Sequence, residues 1–136
     1  MVETAGWVAP ESPEEARKSY EALGPTAQVV TREVAKAMAF DREEYREKVT
    51  EAVVETAHDA LFASLLEVQD GSREAFEEWR EGYDGECEIL GSENVDRVVW
   101  HRFDGKALAA TYQNEPEAAR GTLRRQAFGR LYRDVL

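Results

Sequence analysis

The chain has 136 residues, with 28 Asp and Glu against 17 Lys and Arg, a net charge of −11. Only four of the basic residues are lysine, and thirteen are arginine. This balance exceeds the roughly 2–8 charges that keep a small domain soluble. It surrounds the molecule with a field that opposes nucleic acid, and no apolar run approaches the ~18 residues of a membrane helix.

Acid spread along the whole chain, with arginine in place of lysine, suits a cytosol of concentrated salt. There the Debye length shrinks to about 3 Å and self-repulsion is screened. The length predicts a single domain over residues 1–136 with a real core. A lone cysteine, Cys87, excludes an internal disulfide and fits a reducing interior. The opening Met1-Val2-Glu3-Thr4 has neither a basic region nor an apolar stretch, so no signal peptide is expected and the location reads as cytoplasmic.

In chain order, residues 1–11 read as an extended lead-in with Trp7 and Val8 as an anchor. Residues 12–81 read as a helical half of about four helices. Ser12-Pro13-Glu14-Glu15 is a capping box with proline at the first helical position. Gly24 ends that helix, and Pro25 opens a second whose Val30, Val34, Ala37 and Met38 repeat at three and four. Asp41-Arg42-Glu43-Glu44 is a second box and opens a long helix over 42–68, with an apolar stripe from Tyr45 to Leu61. Asp70-Gly71 breaks it, and Ser72 caps a short helix carrying Phe76 and Trp79.

From residue 86 to 113 the pattern becomes alternating and predicts a small antiparallel sheet. Its strands are 87–90, 95–103 and 106–113, the last two joined at Asp104-Gly105. A two-residue turn there pairs Phe103 with Lys106, His101 with Leu108, Val99 with Ala110, Trp100 with Ala109 and Val98 with Thr111. Both faces then carry large apolar groups, so a second cover is expected, either the N-terminus or a partner. Residues 115–135 form a final helix. The fold class expected is α+β: the helical half packed on a three-stranded antiparallel meander, completed by the C-terminal helix.

That last helix is the one basic segment, netting +2 in a chain that nets −13 elsewhere. Leu123, Ala127, Phe128, Leu131 and Val135 share one arc, and Arg120 and Arg124 project from inside it. Buried guanidiniums need partners. They hold carboxylates of the helical half, or they fork onto an anionic ligand such as phosphate. Gly121 and Gly129, two turns apart, suggest close helix packing.

His101 beside Trp100 has no carboxylate, serine or cysteine at a spacing that marks acid–base work, and reads first as a packed strand histidine. It joins Arg120 and Arg124 as a candidate ligand contact. Glu51, Glu55 and His58 share a stripe. Di-iron bundles repeat Glu-x-x-His on two helices, and here it occurs once, so no metal and no cofactor are expected. Trp79, Tyr83, Val98 and Trp100 are the candidate interaction surface, serving a homodimer or another protein partner.

The segments Pro25 to Asp41, Val99-Trp100-His101 and Gly121-Thr122-Leu123-Arg124-Arg125-Gln126-Ala127-Phe128-Gly129-Arg130 resemble a family of small acidic haloarchaeal proteins. The resemblance spans nearly the whole chain and implies host and compartment. It carries no activity and no catalytic residue across. The sequence thus points to a salt-adapted cytosolic interaction module rather than an enzyme, the alternative being a protein that acts on a small anion through Arg120 and Arg124.

Overall fold

The hairpin is built as its residues require. A two-residue turn of the type that matches strand twist needs positive φ at both central positions, and Asp104 and Gly105 have φ of 49° and 76°. In this computed structural model, which describes residues 2–92 and 94–136, the turn joins two central strands, β4 (Arg97–Phe103) and β5 (Lys106–Tyr112). All five expected cross-strand pairs are formed, from Phe103 opposite Lys106 to Val98 opposite Thr111.

Around this hairpin the expected three-stranded antiparallel meander is corrected to a five-stranded mixed sheet. Its other strands are β1 (Glu3–Ala5), β2 (Val68–Ser72) and β3 (Glu86–Leu90), and the order is β1-β2-β4-β5-β3. Two strands come from segments read as a lead-in and as the end of a helix. Asp70-Gly71 lies inside β2, where the missing side chain of Gly71 lets the Trp100 ring lie close: a Cβ there would sit 3.4 Å from its Cη2. The third correction concerns β3, which pairs with β5 in parallel rather than with β4. Helix α5 (Arg73–Glu81) crosses one face of the sheet and carries the chain from β2 to the far edge.

Two cores lie on the two faces. The larger packs Val99, Phe103 and Leu108 against Phe62, Leu66, Leu123, Phe128 and Tyr132. These come from α4 (Glu51–Leu65) and the residue beyond it, and from α6 (Pro116–Ala127), which continues as a π-turn over Phe128–Tyr132. Helix α1 (Pro13–Ala22) adds Ala16. The smaller core packs Val98, Trp100 and Ala109 against Phe76 and Trp79 of α5. Its cover is therefore α5, neither the N-terminus nor a partner.

Caps set the helix limits. Ser12 Oγ accepts from the Glu15 amide, while the Glu15 carboxylate reaches the amide of Glu11, one residue before the cap. Asp41 and Ser72 accept from Glu44 and Ala75 as expected. The helix expected over 42–68 is two helices, α3 (Arg42–Lys48) and α4, because Val49 is non-helical and Thr50 caps the second through the Val53 amide. Helix α2 (Gly24–Ala37) packs along α4 and touches α1. It forms with α3 and the start of α4 an arm standing off the sheet.

Candidate functional site

Arg120 and Arg124 leave α6 on the face turned toward the sheet, as their place in the apolar arc requires. Their partners differ. Asp70 of β2 is 1% exposed. Its Oδ2 accepts from Arg120 Nε at 3.0 Å, with Nη2 at 2.9 Å, and its Oδ1 accepts from Tyr112 and from Arg97 Nη2 at 3.2 Å. Arg120 also reaches Glu3 at 3.0 Å. The carboxylate comes from the sheet, not from the helical half. Burial lowers the Arg120 pKa, but hydrogen bonds to Asp70 and Glu3 more than reverse this and the net shift is upward.

Among the described residues, Arg124 holds no carboxylate. Its Nε donates to the Leu66 carbonyl at 2.9 Å and its Nη2 to the Ala5 carbonyl at 3.2 Å. Burial, and then the neighbouring Arg120 charge, push its pKa down. The two guanidiniums thus bolt α6 onto β2 and β1, donating to Asp70, Glu3 and the Leu66 and Ala5 carbonyls. Asp70, Arg97 and Tyr112 are the members of this site that the sequence hid. Asp70-Gly71 resembles a turn, and only the pairing of β2 with β4, and of β4 with β5, brings the three together.

His101 faces the same side. Its Nδ1 lies 2.6 Å from the Glu67 carbonyl and its Nε2 2.5 Å from the Tyr132 hydroxyl. A carbonyl can only accept, so the proton sits on Nδ1 and Tyr132 donates to Nε2. Burial is the first cause that lowers the His101 pKa, to about 4, and Arg102 and Arg124 add to it. Burial likewise raises that of Tyr132. With both ring nitrogens engaged, His101 joins β4 to the residue just before β2 and to the C-terminal turn, and it lies apart from the Asp70 cluster by its own partners.

The four residues expected as an interaction surface separate. Val98 and Trp100 are 0% and 1% exposed and belong to the smaller core. Trp100 packs against both Phe76 and Trp79, with centroids 5.3 and 5.7 Å away, and its indole N–H has no acceptor among the described residues. Trp79 stacks on Tyr83 at 4.7 Å, and Tyr83 donates to the Lys106 carbonyl at 3.1 Å. These aromatics hold α5 on the sheet.

The arm presents the surface that the sequence reading took for core. Inward on α2 are Ala27, Thr31 and Ala35, all small. Val30, Val34 and Met38 stay exposed, as does Val53 on α4. Together with Phe40 and Ala57 they line a groove of about 290 Å³ whose one charged lining residue, among the described residues, is Lys48. The signal was present in the sequence: a helix whose inward positions hold nothing larger than threonine cannot bury its valines against its own neighbour.

On the other side of the arm, Glu51, Glu55 and His58 line a cleft of about 450 Å³ with Arg32 and Tyr45. His58 stacks on Tyr20 at 3.7 Å and donates from Nε2 to the Tyr20 carbonyl at 2.6 Å, while the Tyr20 hydroxyl donates to Asp59. The histidine clasps α4 to α1. Among the described residues no group of three or more His, Cys, Asp or Glu is placed to hold a metal, and no helix is long and apolar enough to cross a membrane.

No curated protein and no solved structure matches the chain. The pattern of a family of unknown function, DUF5809, matches residues 7–133, nearly the full length, and the chain belongs to that family.

Proposed function

We propose that the protein is a cytosolic interaction module adapted to concentrated salt, and that it docks a partner through the groove between α2 and α4. One observation carries this reading: an apolar groove built from Val30, Val34, Met38 and Val53, all left exposed in a chain of net charge −11. Apolar side chains clustered in this way mark interaction sites more often than scattered ones do. The geometry favours this over an anion site at Arg120 and Arg124, whose guanidiniums are engaged by Asp70, Glu3 and two carbonyls.

The test compares tagged unmodified protein with Val34→Glu in extract at molar potassium chloride. A polypeptide, foreign or a copy of the chain, should be retained by the first and lost by the second. Identical retention by both would remove the groove from the interaction. A rise in melting temperature with phosphate at constant ionic strength, absent in Arg120→Met, would support the anion reading instead.

A further inference from the structure

We propose that the cleft between α2, α3 and α4, on the side of the arm away from the apolar groove, binds a basic amino acid. Its two cationic groups would lie on Glu51 and Glu55, and its carboxylate on Arg32.

The first argument is shape. At about 450 Å³ the cleft falls within the roughly 300–1,000 Å³ of small-molecule pockets. Three helices build it, because α3 ends at Val49 and the chain turns at Thr50 into α4, which packs along α2. Thr31 is buried, and Val49 and Val54 are half-buried, so the bottom is closed. Arg32, Glu51 and Glu55 stand exposed around it.

The second argument is the chemistry of the two walls. Helix α4 presents acceptors: Glu51, Glu55 and His58 follow one another at helical spacing along one face. Because His58 donates from Nε2 to the Tyr20 carbonyl, its Nδ1 keeps a lone pair. Helix α2 presents the guanidinium of Arg32. Among the described residues, neither these two carboxylates nor this guanidinium forms an ion pair. Opposite charges that line one cleft without meeting suit a ligand that carries both signs.

Charge count then selects the class. Two carboxylates against one guanidinium ask for two cations and one carboxylate, the set carried by lysine and arginine. Glu51 and Glu55 are one turn apart, about 5–6 Å between Cβ atoms, a span that a chain of a few methylenes with a cation at each end can cover. Arg32 can grip the carboxylate with a two-pronged hydrogen bond. A phosphate would face both glutamates, and a simple diamine would leave Arg32 unmatched.

Calorimetry of the full chain in molar potassium chloride, with L-lysine and L-arginine as probes, should show saturable binding of at least one. The decarboxylated counterparts, 1,5-diaminopentane and agmatine, and L-norleucine, which lacks the second cation, should bind at least about tenfold more weakly. Arg32→Gln and Glu55→Gln should each weaken the bound amino acid by about tenfold or more. Both residues are exposed, so circular dichroism should report an unchanged fold. Val34→Glu, on the groove side of α2, should bind as the unmodified protein does. Absence of binding by both amino acids overturns the proposal. So does equal binding of the decarboxylated amines or of norleucine, full affinity in either cleft variant, or a matching loss in Val34→Glu.

Discussion

Asp70 shows how one side chain can be costly to remove although it performs no chemistry. It is 1% exposed and receives three side-chain donors, Arg97, Tyr112 and Arg120. A buried charge that loses a partner is destabilising by several kcal/mol, because the survivor is stranded. Arg120→Met should therefore cost about 3 kcal/mol, near the low end because Arg97 and Tyr112 still hold the carboxylate. Arg124→Met should cost less, about 1–2 kcal/mol, since it frees two carbonyls and removes a poorly compensated cation. Urea unfolding of the two variants measures both, and equal losses would refute the distinction. His101 predicts a pH dependence of definite sign. Its folded pKa is depressed to about 4 against the ordinary 6.5, so folding favours the neutral ring. That contribution is fully present above pH 6.5 and is lost as pH falls toward 4, roughly 3 kcal/mol in all. Unfolding titrations should show His101→Gln to be less stable at pH 7, with a shallower loss between pH 6.5 and 4.5. A parallel pair of curves would count against His101 as the acid-sensitive group.

Elements whose signals are local were legible, and elements that depend on distant residues were not. The Asp104-Gly105 hairpin has its register written in a two-residue turn with positive φ at both positions. The caps at Ser12, Asp41 and Ser72 are likewise local side-chain to backbone contacts. By contrast β1 has three residues and exists only because β2 offers it an edge. The direction of β3 depends on how far α5 travels across the sheet. Thr50 was read inside a long helix because the apolar stripe continues through it, yet Val49 breaks the backbone there. The glycines of the last helix also need correction, since close packing does not explain them. A Cβ at Gly121 would meet only the end of Arg125, 3.9 Å away, and one at Gly129 would meet nothing within 4 Å. Gly121→Ala should therefore stabilise the protein, by about 0.5–1 kcal/mol from helix propensity. A melting temperature that falls on this substitution would reveal a constraint on the backbone there.

At the scale of the whole molecule, net charge governs behaviour that no single contact does. At −11 the folded chain repels itself more strongly than an expanded one, so salt should favour the compact state. The melting temperature should rise as sodium or potassium chloride goes from millimolar to molar, and a flat or falling profile would refute salt adaptation. Composition, hairpin register, helix caps and the inward set of Arg120 and Arg124 were determined by the sequence alone, because each depends on charge count or on residues within a few positions. Tertiary structure decided the rest. It brought Asp70 under Arg120 from fifty residues away, placed Trp100 beneath α5 rather than at a surface, and turned Val30, Val34 and Met38 outward. Periodicity shows that a helix has an apolar stripe, but only the packed chain shows whether anything within it is left to cover that stripe.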